Sequence, residues 1–354
     1  GEFTVTKSRT GKYVDEEKTA ELILNSLSGA LTSSAVNVTA AIKTKEPEYT
    51  SEDMAECTDT IGKFSTTFQE SQVERSANLR NAVSFIDGSM VYPGETFSVA
   101  DTIYPLSADN GYKEAPSYAD GEVVESLGGG VCQVSTTLYN AVLRAELEIV
   151  ERLPHSMVVT YVQPSMDAAI AGDYKDLKFA NNTDTPIYIQ GSVYGGVITF
   201  TIYGKETRPS SRKIEFVSEK VETIQPGKDI ITKDASQPEG YEKVTQQAHV
   251  GYVANLYKVV YENGVETSRE KINYSKYNAE PRHVIVGTKK EKTDKDKDKN
   301  KDKNKDKAKA TKAPDNNTTS QDTPQTQATG APAVATEAPQ EPAATEEPSQ
   351  EAAQ

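Results

Sequence analysis

Cys132 has the sequence surroundings of a nucleophile. It is one of two cysteines in a chain of 354 residues, and the run Gly128-Gly129-Gly130-Val131 directly precedes it. The apolar spacing from Gln133 to about Glu151 predicts an amphipathic helix, so Cys132 would lie at the first turn. Unpaired N–H groups and the positive end of the helix dipole favour a thiolate there, and the thiolate is the nucleophilic form.

The glycines before the cysteine suit the approach of a substrate. Glycine turns tightly and leaves the backbone accessible, so Gly129 and Gly130 could bring a substrate carbonyl to N–H groups that form an oxyanion hole. A buried structural cysteine beside a flexible turn would have the same pattern. A disulfide with Cys57 is a further alternative for an exported protein, although Cys57 is most simply a structural residue.

A thiol nucleophile needs a base, and His155 is the candidate among the three histidines of the chain. Pro154 should end the helix, and the β-branched run Ser156–Val162 predicts a strand. His155 would therefore lie just before the start of that strand. Papain-like enzymes share this order of a cysteine on a helix start and a later histidine. Spacing leaves three carboxylates as candidates to orient the imidazole, namely Asp167, Asp173 and Asp176.

The other two histidines, His249 and His283, lack companions at metal-ligand spacing, so we expect no metal and no cofactor. The net charge is −14, and the one lysine-dense block is interleaved with aspartate, which argues against nucleic-acid binding. No apolar run approaches the length of a membrane span. The opening Gly1-Glu2-Phe3 has no initiator methionine or signal peptide, so we expect an export signal or anchor upstream.

The element pattern predicts an α+β, β-rich domain in which a central helix carries the cysteine at its N-terminus. An elongated all-β module and a disordered tail should follow. The expected boundaries are 1–61, 62–207, 208–212 for a linker, 213–288 and 289–354. Predicted helices are Glu16–Leu27, Arg75–Ile86 and a helix-like stretch at Ser51–Ile61. Predicted strands are Phe64–Phe68, Leu177–Asn181, Ile187–Val193 and Val197–Tyr203, with hairpin turns at Gly195-Gly196 and Asn263-Gly264.

Several motifs resemble the VanW-type domain over about Gly62 to Gly204. They are Asn81–Ser98, the run from Gly128 to Ala141, Glu151-Arg152 with His155-Ser156, Asp167-Ala168 and Asp176–Asn181. The opening segment is similar to the end of a peptidoglycan-binding-like module. Residues 213–288 resemble the G-five domain through their short strands and Gly227, Gly240, Gly251, Gly264 and Gly287.

These resemblances imply a Gram-positive surface protein, with a membrane anchor in a missing N-terminal segment, that acts on peptidoglycan stem peptides and glycan. VanW-type proteins with this cysteine motif have been proposed to be L,D-transpeptidases, which release D-alanine through a thioester. Cys132 would be the nucleophile and His155 the base. Among the three candidate aspartates, we select Asp176 as the third catalytic residue. The implied substrate-binding residues are Gly129, Gly130, Gln133, Tyr161 and Arg152, the last pairing with a stem-peptide carboxylate.

Two other functions are compatible with the same residues. If water resolves the thioester, the protein is a cysteine L,D-carboxypeptidase or endopeptidase of peptidoglycan. If Gly128 to Gln133 merely shape a groove, it is a wall-binding accessory protein of glycopeptide resistance. The G-five region could bind glycan or act as a spacer, and the oligomeric state is left open.

Overall fold

The structure, a computed structural model, describes residues 3–29, 37–119 and 122–290. The predicted disordered tail, 289–354, lies outside these residues except for Lys289 and Lys290. Within the described ranges, no helix combines the length and the apolarity that a membrane crossing needs. Cys57 and Cys132 are both free thiols, so the alternative of a disulfide between them is wrong.

The N-terminal part combines short strands with one long helix. Its elements are β1 (Gly11–Val14), α1 (Glu16–Gly29), β2 (Ile42–Lys45) and α2 (Ser51–Ala55). β1 and β2 pair antiparallel, and α1 confirms the predicted helix. The helix-like stretch expected to reach Ile61 is shorter, because the chain enters a strand at Asp59 and buries Ile61 on the sheet. The assignment of residues 1–61 to a peptidoglycan-binding-like module stays a prediction.

The middle of the chain, which we call the cysteine-helix region (residues 59–204), is a set of antiparallel sheets around α5. Its elements are β3 (Asp59–Thr67), α3 (Val73–Ile86), β4 (Ser89–Val91), β5 (Thr96–Ser98), α4 (Val99–Ile103), β6 (Glu114–Ala119), β7 (Glu122–Leu127), α5 (Cys132–Arg144), β8 (Glu148–Glu151), β9 (Lys178–Ala180), β10 (Ile187–Tyr194) and β11 (Val197–Gly204). The main sheet has the order β3-β11-β10-β4, beside a β5-β9-β8 sheet and a β6-β7 hairpin. The hairpin predicted at Gly195-Gly196 is confirmed.

Helix α5 packs on β3 and β11 through its apolar face, so the helix that begins at Cys132 is anchored on the main sheet. Val134, Leu138 and Ala141 are fully buried in this contact. The prediction that the helix continues to Glu151 is wrong. Glu146 adopts a left-handed backbone conformation, with φ of 58°, which ends the helix and redirects the chain into β8.

The predicted strand Ser156–Val162 is also wrong. Met157 and Val159 are buried and Ser156 and Thr160 are exposed, an alternation typical of a strand. Among the described residues, however, no strand pairs with this segment, which runs irregularly beside the N-terminus of α5. Burial of alternate residues therefore arises here without a hydrogen-bonded ladder.

The C-terminal β region (residues 212–289) contains two three-stranded sheets. Its strands are β12 (Arg212–Ile224), β13 (Ile230–Pro238), β14 (Glu242–Gln246), β15 (Gly251–Glu262), β16 (Val265–Tyr277) and β17 (His283–Lys289). The sheet orders are β12-β15-β16 and β13-β17-β14, with β13 parallel to β17. The hairpin predicted at Asn263-Gly264 is confirmed, since both residues have the positive φ of a type I′ turn, 51° and 80°.

The two regions share packed surfaces. Leu256 of β15 belongs to the same hydrophobic core as α5, and Phe216 and Ile272 pack against that core. Glu146 after α5 forms ion pairs with Arg212 at 2.5 Å and with Lys258 at 2.5 Å. Burial raises the pKa of Glu146, but hydrogen bonds to those two cations outweigh it and lower the pKa to about 2. An ionised Glu146 therefore holds the end of α5 against the C-terminal β region.

A single glycine sets how closely α5 approaches the sheet. A Cβ on Gly62 of β3 would lie 2.3 Å from the carbonyl oxygen of Ala141 and 2.6 Å from the amide nitrogen of Ala145. We therefore expect Gly62→Ala to lower the free energy of unfolding by about 3 kcal/mol, because the helix must shift off β3. Chemical denaturation of both proteins measures this.

Gly227→Ala is the matched control, because a Cβ at this exposed position meets nothing within 4 Å. It should change the free energy of unfolding by no more than about 0.5 kcal/mol. Equal stabilities of Gly62→Ala and wild type would contradict the close packing of α5 on β3.

Candidate active site

The backbone before Cys132 needs its glycines for conformation and packing. Gly130 has a φ of 105°, a conformation that residues other than glycine rarely adopt. A Cβ on Gly129 would lie 2.1 Å from the carbonyl oxygen of Ala115 on β6. The N–H of Gln133 donates to the Gly130 carbonyl, whereas that of Cys132 has no acceptor among the described residues. The N–H at the start of α5, next to the thiol, is therefore not used by a backbone acceptor of the described residues.

The thiol of Cys132 interacts electrostatically with the imidazole of His155. Its Sγ lies 3.3 Å from the carbonyl oxygen of Ile170. Cys132 is partly exposed, and the side chain of His155 is 13% exposed. The structure therefore brings together the two residues that the sequence predicted as nucleophile and base.

The carboxylate that orients His155 is Asp167. Its Oδ2 lies 2.7 Å from Nδ1 of His155 and accepts the His155 backbone N–H at 2.8 Å. Because an ionised carboxylate can only accept, Nδ1 carries the proton and Nε2 faces the thiol. The hydroxyl of Tyr161 lies 3.5 Å from Nε2, so Tyr161 is next to His155, and its role in substrate binding stays a prediction.

The prediction that Asp176 takes this role is wrong. Its Oδ2 accepts from the hydroxyl of Ser98 at 2.6 Å, and its Oδ1 accepts from the backbone N–H groups of Ala100 and Leu177 at 2.9 and 2.7 Å. Asp176 thus joins the start of α4 to the segment before β9. All three aspartates follow His155 closely in sequence, and only the path of the folded chain distinguishes them.

Arg152 pairs with Asp167. The prediction that it pairs with a substrate carboxylate is therefore wrong. Its guanidinium donates to Oδ1 of Asp167 at 3.0 Å and to the Asp167 carbonyl oxygen at 2.6 Å. A further nitrogen donates to the hydroxyl of Ser275 at 2.9 Å. The side chain is 4% exposed, so the Arg152 guanidinium is buried and already paired within the protein.

Helix α5 holds the segment that carries Asp167 through polar side chains. Ser135 donates to the carbonyl oxygen of Ala168 at 2.6 Å, and Thr136 accepts the Ala168 N–H at 3.0 Å. Asn140 donates to the carbonyl oxygen of Met166 at 2.7 Å. Sequence reasoning missed these residues, although uncharged polar residues between apolar ones on a buried helix could have signalled such a contact.

The charges of the three residues stabilise one another. Burial lowers the pKa of His155, but its hydrogen bonds to Asp167 and Cys132 and their charges outweigh burial and raise it to about 9. Burial likewise raises the pKa of Asp167, yet His155 and Arg152 lower it to about 2. Burial raises the pKa of Cys132, and the hydrogen bond and charge of His155 reverse this to a net lowering. Near neutral pH, these directions favour a thiolate beside an imidazolium.

A groove of about 550 Å³ opens beside this pair. It lies between the end of β3, the start of α3, β6 and residues 158–161, and Tyr161 is part of its wall. Gln133 also borders it, but its amide donates to Thr66 and Thr67 and accepts from Arg75. These hydrogen bonds fix Gln133 in the groove wall, and its contact with substrate stays a prediction. Arg75 also lines the groove.

Residues 3–29, 37–119 and 122–290 contain no candidate metal site. No group of three or more histidine, cysteine, aspartate or glutamate side chains in these ranges is arranged to hold an ion. The reactive groups near the start of α5 are the Cys132 thiol, the His155 imidazole and backbone N–H donors.

Comparison with known proteins assigns both regions. The family described as VanW like protein matches residues 74–203, and the family described as G5 domain matches residues 217–289. The chain is 40% identical over 161 residues to the uncharacterized protein YoaR of Bacillus subtilis (strain 168), covering 45% of this chain and 53% of YoaR. A solved G5 domain of an IgA1 protease is 25% identical, covers 22% of this chain and 93% of its own, and has a TM-score of 0.17.

A second relative is the vancomycin B-type resistance protein VanW of Enterococcus faecalis (strain ATCC 700802 / V583). It is 33% identical over 127 residues, which cover 34% of this chain and 45% of that protein. The chain thus spans about half the length of these two curated relatives, 53% and 45%. The chain contains a VanW-like domain followed by a G5 domain, and YoaR and VanW are its homologues.

Proposed function

We propose that this chain is a cysteine acyltransferase that cross-links peptidoglycan stem peptides, an L,D-transpeptidase. The observation that carries the proposal is the group Cys132, His155 and Asp167 at the start of a helix, beside a groove: Asp167 is hydrogen-bonded to His155, and His155 interacts with the thiol. The series has the parts that an activated thiol requires, namely a nucleophile, a base and a group that orients the base.

The substrate class is supported by the relatives. One homologue is named for vancomycin resistance, and the VanW-like resemblance favours a cell-wall substrate. In this proposal the protein works outside the cell, at the wall, and its G5 domain lies close to glycan. Stem peptides carry amide carbonyls and carboxylates, the groups that the backbone N–H of Cys132 and a groove cation can bind.

The first half of the reaction transfers an acyl group to the protein. The Cys132 thiolate attacks the carbonyl carbon between the L-centre of the diamino acid and the terminal D-alanine, and negative charge moves to the carbonyl oxygen. The backbone N–H of Cys132 stabilises this oxyanion. As the C–N bond breaks, imidazolium His155 gives its Nε2 proton to the leaving amine. D-alanine departs, and a thioester and a neutral imidazole remain.

The second half returns the site to its starting state. The side-chain amine of a neighbouring stem attacks the thioester carbon, and its proton moves to Nε2 of His155 as the C–S bond breaks. The products are an amide between two diamino acid residues, a thiolate and an imidazolium. Attack by water in place of the amine would release the free tripeptide, which is the hydrolytic alternative.

Product analysis tests the proposal directly. Full-length protein with purified disaccharide tetrapeptide should yield a dimer with one D-alanine lost per bond, and an acyl adduct on the intact protein. Cys132→Ala should lack both, because no thioester can form, whereas Cys57→Ala should retain both. Mass spectrometry of the muropeptides and of the protein makes the comparison.

Other products would lead to a different function. Tripeptide without dimer would indicate a carboxypeptidase, since water would then resolve the thioester. If wild type gives no product and Cys132→Ala binds isolated cell wall as well as wild type, the protein is a wall-binding accessory and the transferase proposal fails.

The pH dependence of thiol alkylation tests the ion pair. Because the pKa of Cys132 is lowered and that of His155 is raised to about 9, iodoacetamide should react with Cys132 well below the ordinary thiol pKa of about 8.5. Asp167→Asn removes the charge that stabilises the imidazolium, so the His155 pKa falls and the Cys132 pKa rises. At pH 6.5 the alkylation rate of this variant should drop by about tenfold.

Asp176→Asn is the matched control and should keep the wild-type pH profile, because Asp176 contacts Ser98 and Ala100 and not His155. His155→Gln is a second test that removes the imidazolium itself and should match Asp167→Asn. Peptide mapping confirms that the adduct is on Cys132. A wild-type profile with an ordinary thiol midpoint would contradict the ion pair.

Arg75 is proposed to bind a stem-peptide carboxylate in the groove, in place of the buried Arg152. Arg75→Ala should raise the KM for tetrapeptide by about tenfold with little change in kcat, since a charged contact to bound substrate is lost. Arg80→Ala is the control, because Arg80 on the same helix is 49% exposed and pairs with Glu70. Equal KM values for Arg75→Ala and Arg80→Ala would exclude this role.

A further inference from the structure

The end of strand β16 in the G5 domain reaches the carboxylate of Asp167. The hydroxyl of Tyr277, the last residue of β16, donates to Oδ1 of Asp167 at 2.5 Å and accepts the backbone N–H of Ser165 at 2.6 Å. Tyr277 is fully buried. Burial, with the charge and hydrogen bond of Asp167, raises the pKa of Tyr277 well above its usual range, so the phenol remains a donor.

Three polar side chains of β16 face the VanW-like domain at every second position, as one face of a strand requires. Ser275 accepts from Arg152 at 2.9 Å and shares a hydrogen bond of 2.8 Å with Ser165. Asn273 donates to the hydroxyl of Tyr139 and, at 3.2 Å, to the carbonyl oxygen of Ser165. This face of the G5 domain therefore contacts both charged residues behind His155.

The association of the two domains does not depend on the contacts of Tyr277 and Ser275 with Asp167 and Arg152. The two domains already share apolar packing at Leu256, Phe216 and Ile272 and the ion pairs of Glu146. Tyr277 instead donates to the carboxylate oxygen that His155 leaves unused. The charged groups that face Tyr277 are Asp167 and Arg152, so the phenol adds a neutral donor to a cationic one.

We propose that Tyr277 is a positioning residue of the VanW-like site, so that the G5 domain completes the reactive centre of the neighbouring domain. With Tyr277 and Arg152 on Oδ1, the carboxylate cannot rotate, and Oδ2 stays on Nδ1 of His155. Loss of the phenol hydroxyl loosens that hydrogen bond and leaves the buried N–H of Ser165 without its acceptor. The imidazolium is then less well stabilised, and so is the thiolate beside it.

This inference rests on the proposed function only in requiring a reactive Cys132, and it needs no particular substrate. Iodoacetamide alkylation of the full-length protein therefore tests it apart from transpeptidation. Tyr277→Phe should lower the Cys132 alkylation rate at pH 6.5 by about tenfold and move the midpoint of the pH profile toward that of an ordinary thiol. Melting temperature and near-UV circular dichroism are measured on the same samples.

Tyr274→Phe is the matched control, since Tyr274 lies on the opposite face of β16 and is 59% exposed. It should keep the wild-type rate and midpoint. Ser275→Ala, which removes a contact to Arg152, should shift the midpoint in the same direction as Tyr277→Phe. If Tyr277→Phe lacks native circular dichroism, the comparison uses Ser275→Ala against Tyr274→Phe.

A Tyr277→Phe protein with a lower melting temperature but an unchanged pH midpoint would show a structural contact only and would overturn the proposal. A shifted midpoint with intact fold supports it, whatever products the enzyme forms from peptidoglycan. If alkylation behaves as inferred here but no cross-linked product forms, the positioning role stands and the transpeptidase assignment fails.

Discussion

The buried carboxylate of Asp167 is the constraint on which this site depends. A charge with no exposed surface is strongly unfavourable unless it is paired and hydrogen-bonded. Asp167 meets this requirement with donors from His155, Arg152 and Tyr277. Arg152 and His155 come from the segment that follows β8, and Tyr277 comes from the G5 domain, so two distant parts of the chain meet at one negative charge.

The need to hold Asp167 in place also explains why helix α5 has polar side chains on a buried face. Helix α5 buries apolar residues against the main sheet and uses Ser135, Thr136 and Asn140 to bind the backbone on either side of Asp167. One helix therefore fixes the thiol at its first residue and the carboxylate through its buried polar face. The distance between the Cys132 thiol and the Asp167 carboxylate is then set by helix geometry and by packing, and not by flexible loops.

Local features of this structure could be predicted from the sequence, and features that join distant segments could not. Cys132 at a helix start, His155 after Pro154 and the two hairpins depend on residues that are close in the chain. The choice of Asp167 over Asp176 depends on where the chain passes after residue 163, which no spacing rule specifies. The contact of Tyr277 with Asp167 spans 110 residues and two domains, so no pattern within either domain announces it. The sequence could not show that Arg152 pairs with Asp167 and not with substrate, because nothing in the residues around an arginine distinguishes a buried position from an exposed one.

The directions from which a substrate can reach the thiol follow from what already surrounds it. The carbonyl oxygen of Ile170 lies 3.3 Å from Sγ, the imidazole of His155 interacts with the thiol, and Tyr161, which is next to His155, forms part of the groove wall. In the proposed reaction, an acyl donor that fills this groove would exclude water and so strengthen the attraction between the Cys132 thiolate and the His155 imidazolium. After D-alanine departs, the same opening would admit the second nucleophile. In the proposed reaction Cys132 and His155 would act in the same way with an amine or with water, so the choice between the two acceptors would lie in the groove, whose wall includes residues 158–161.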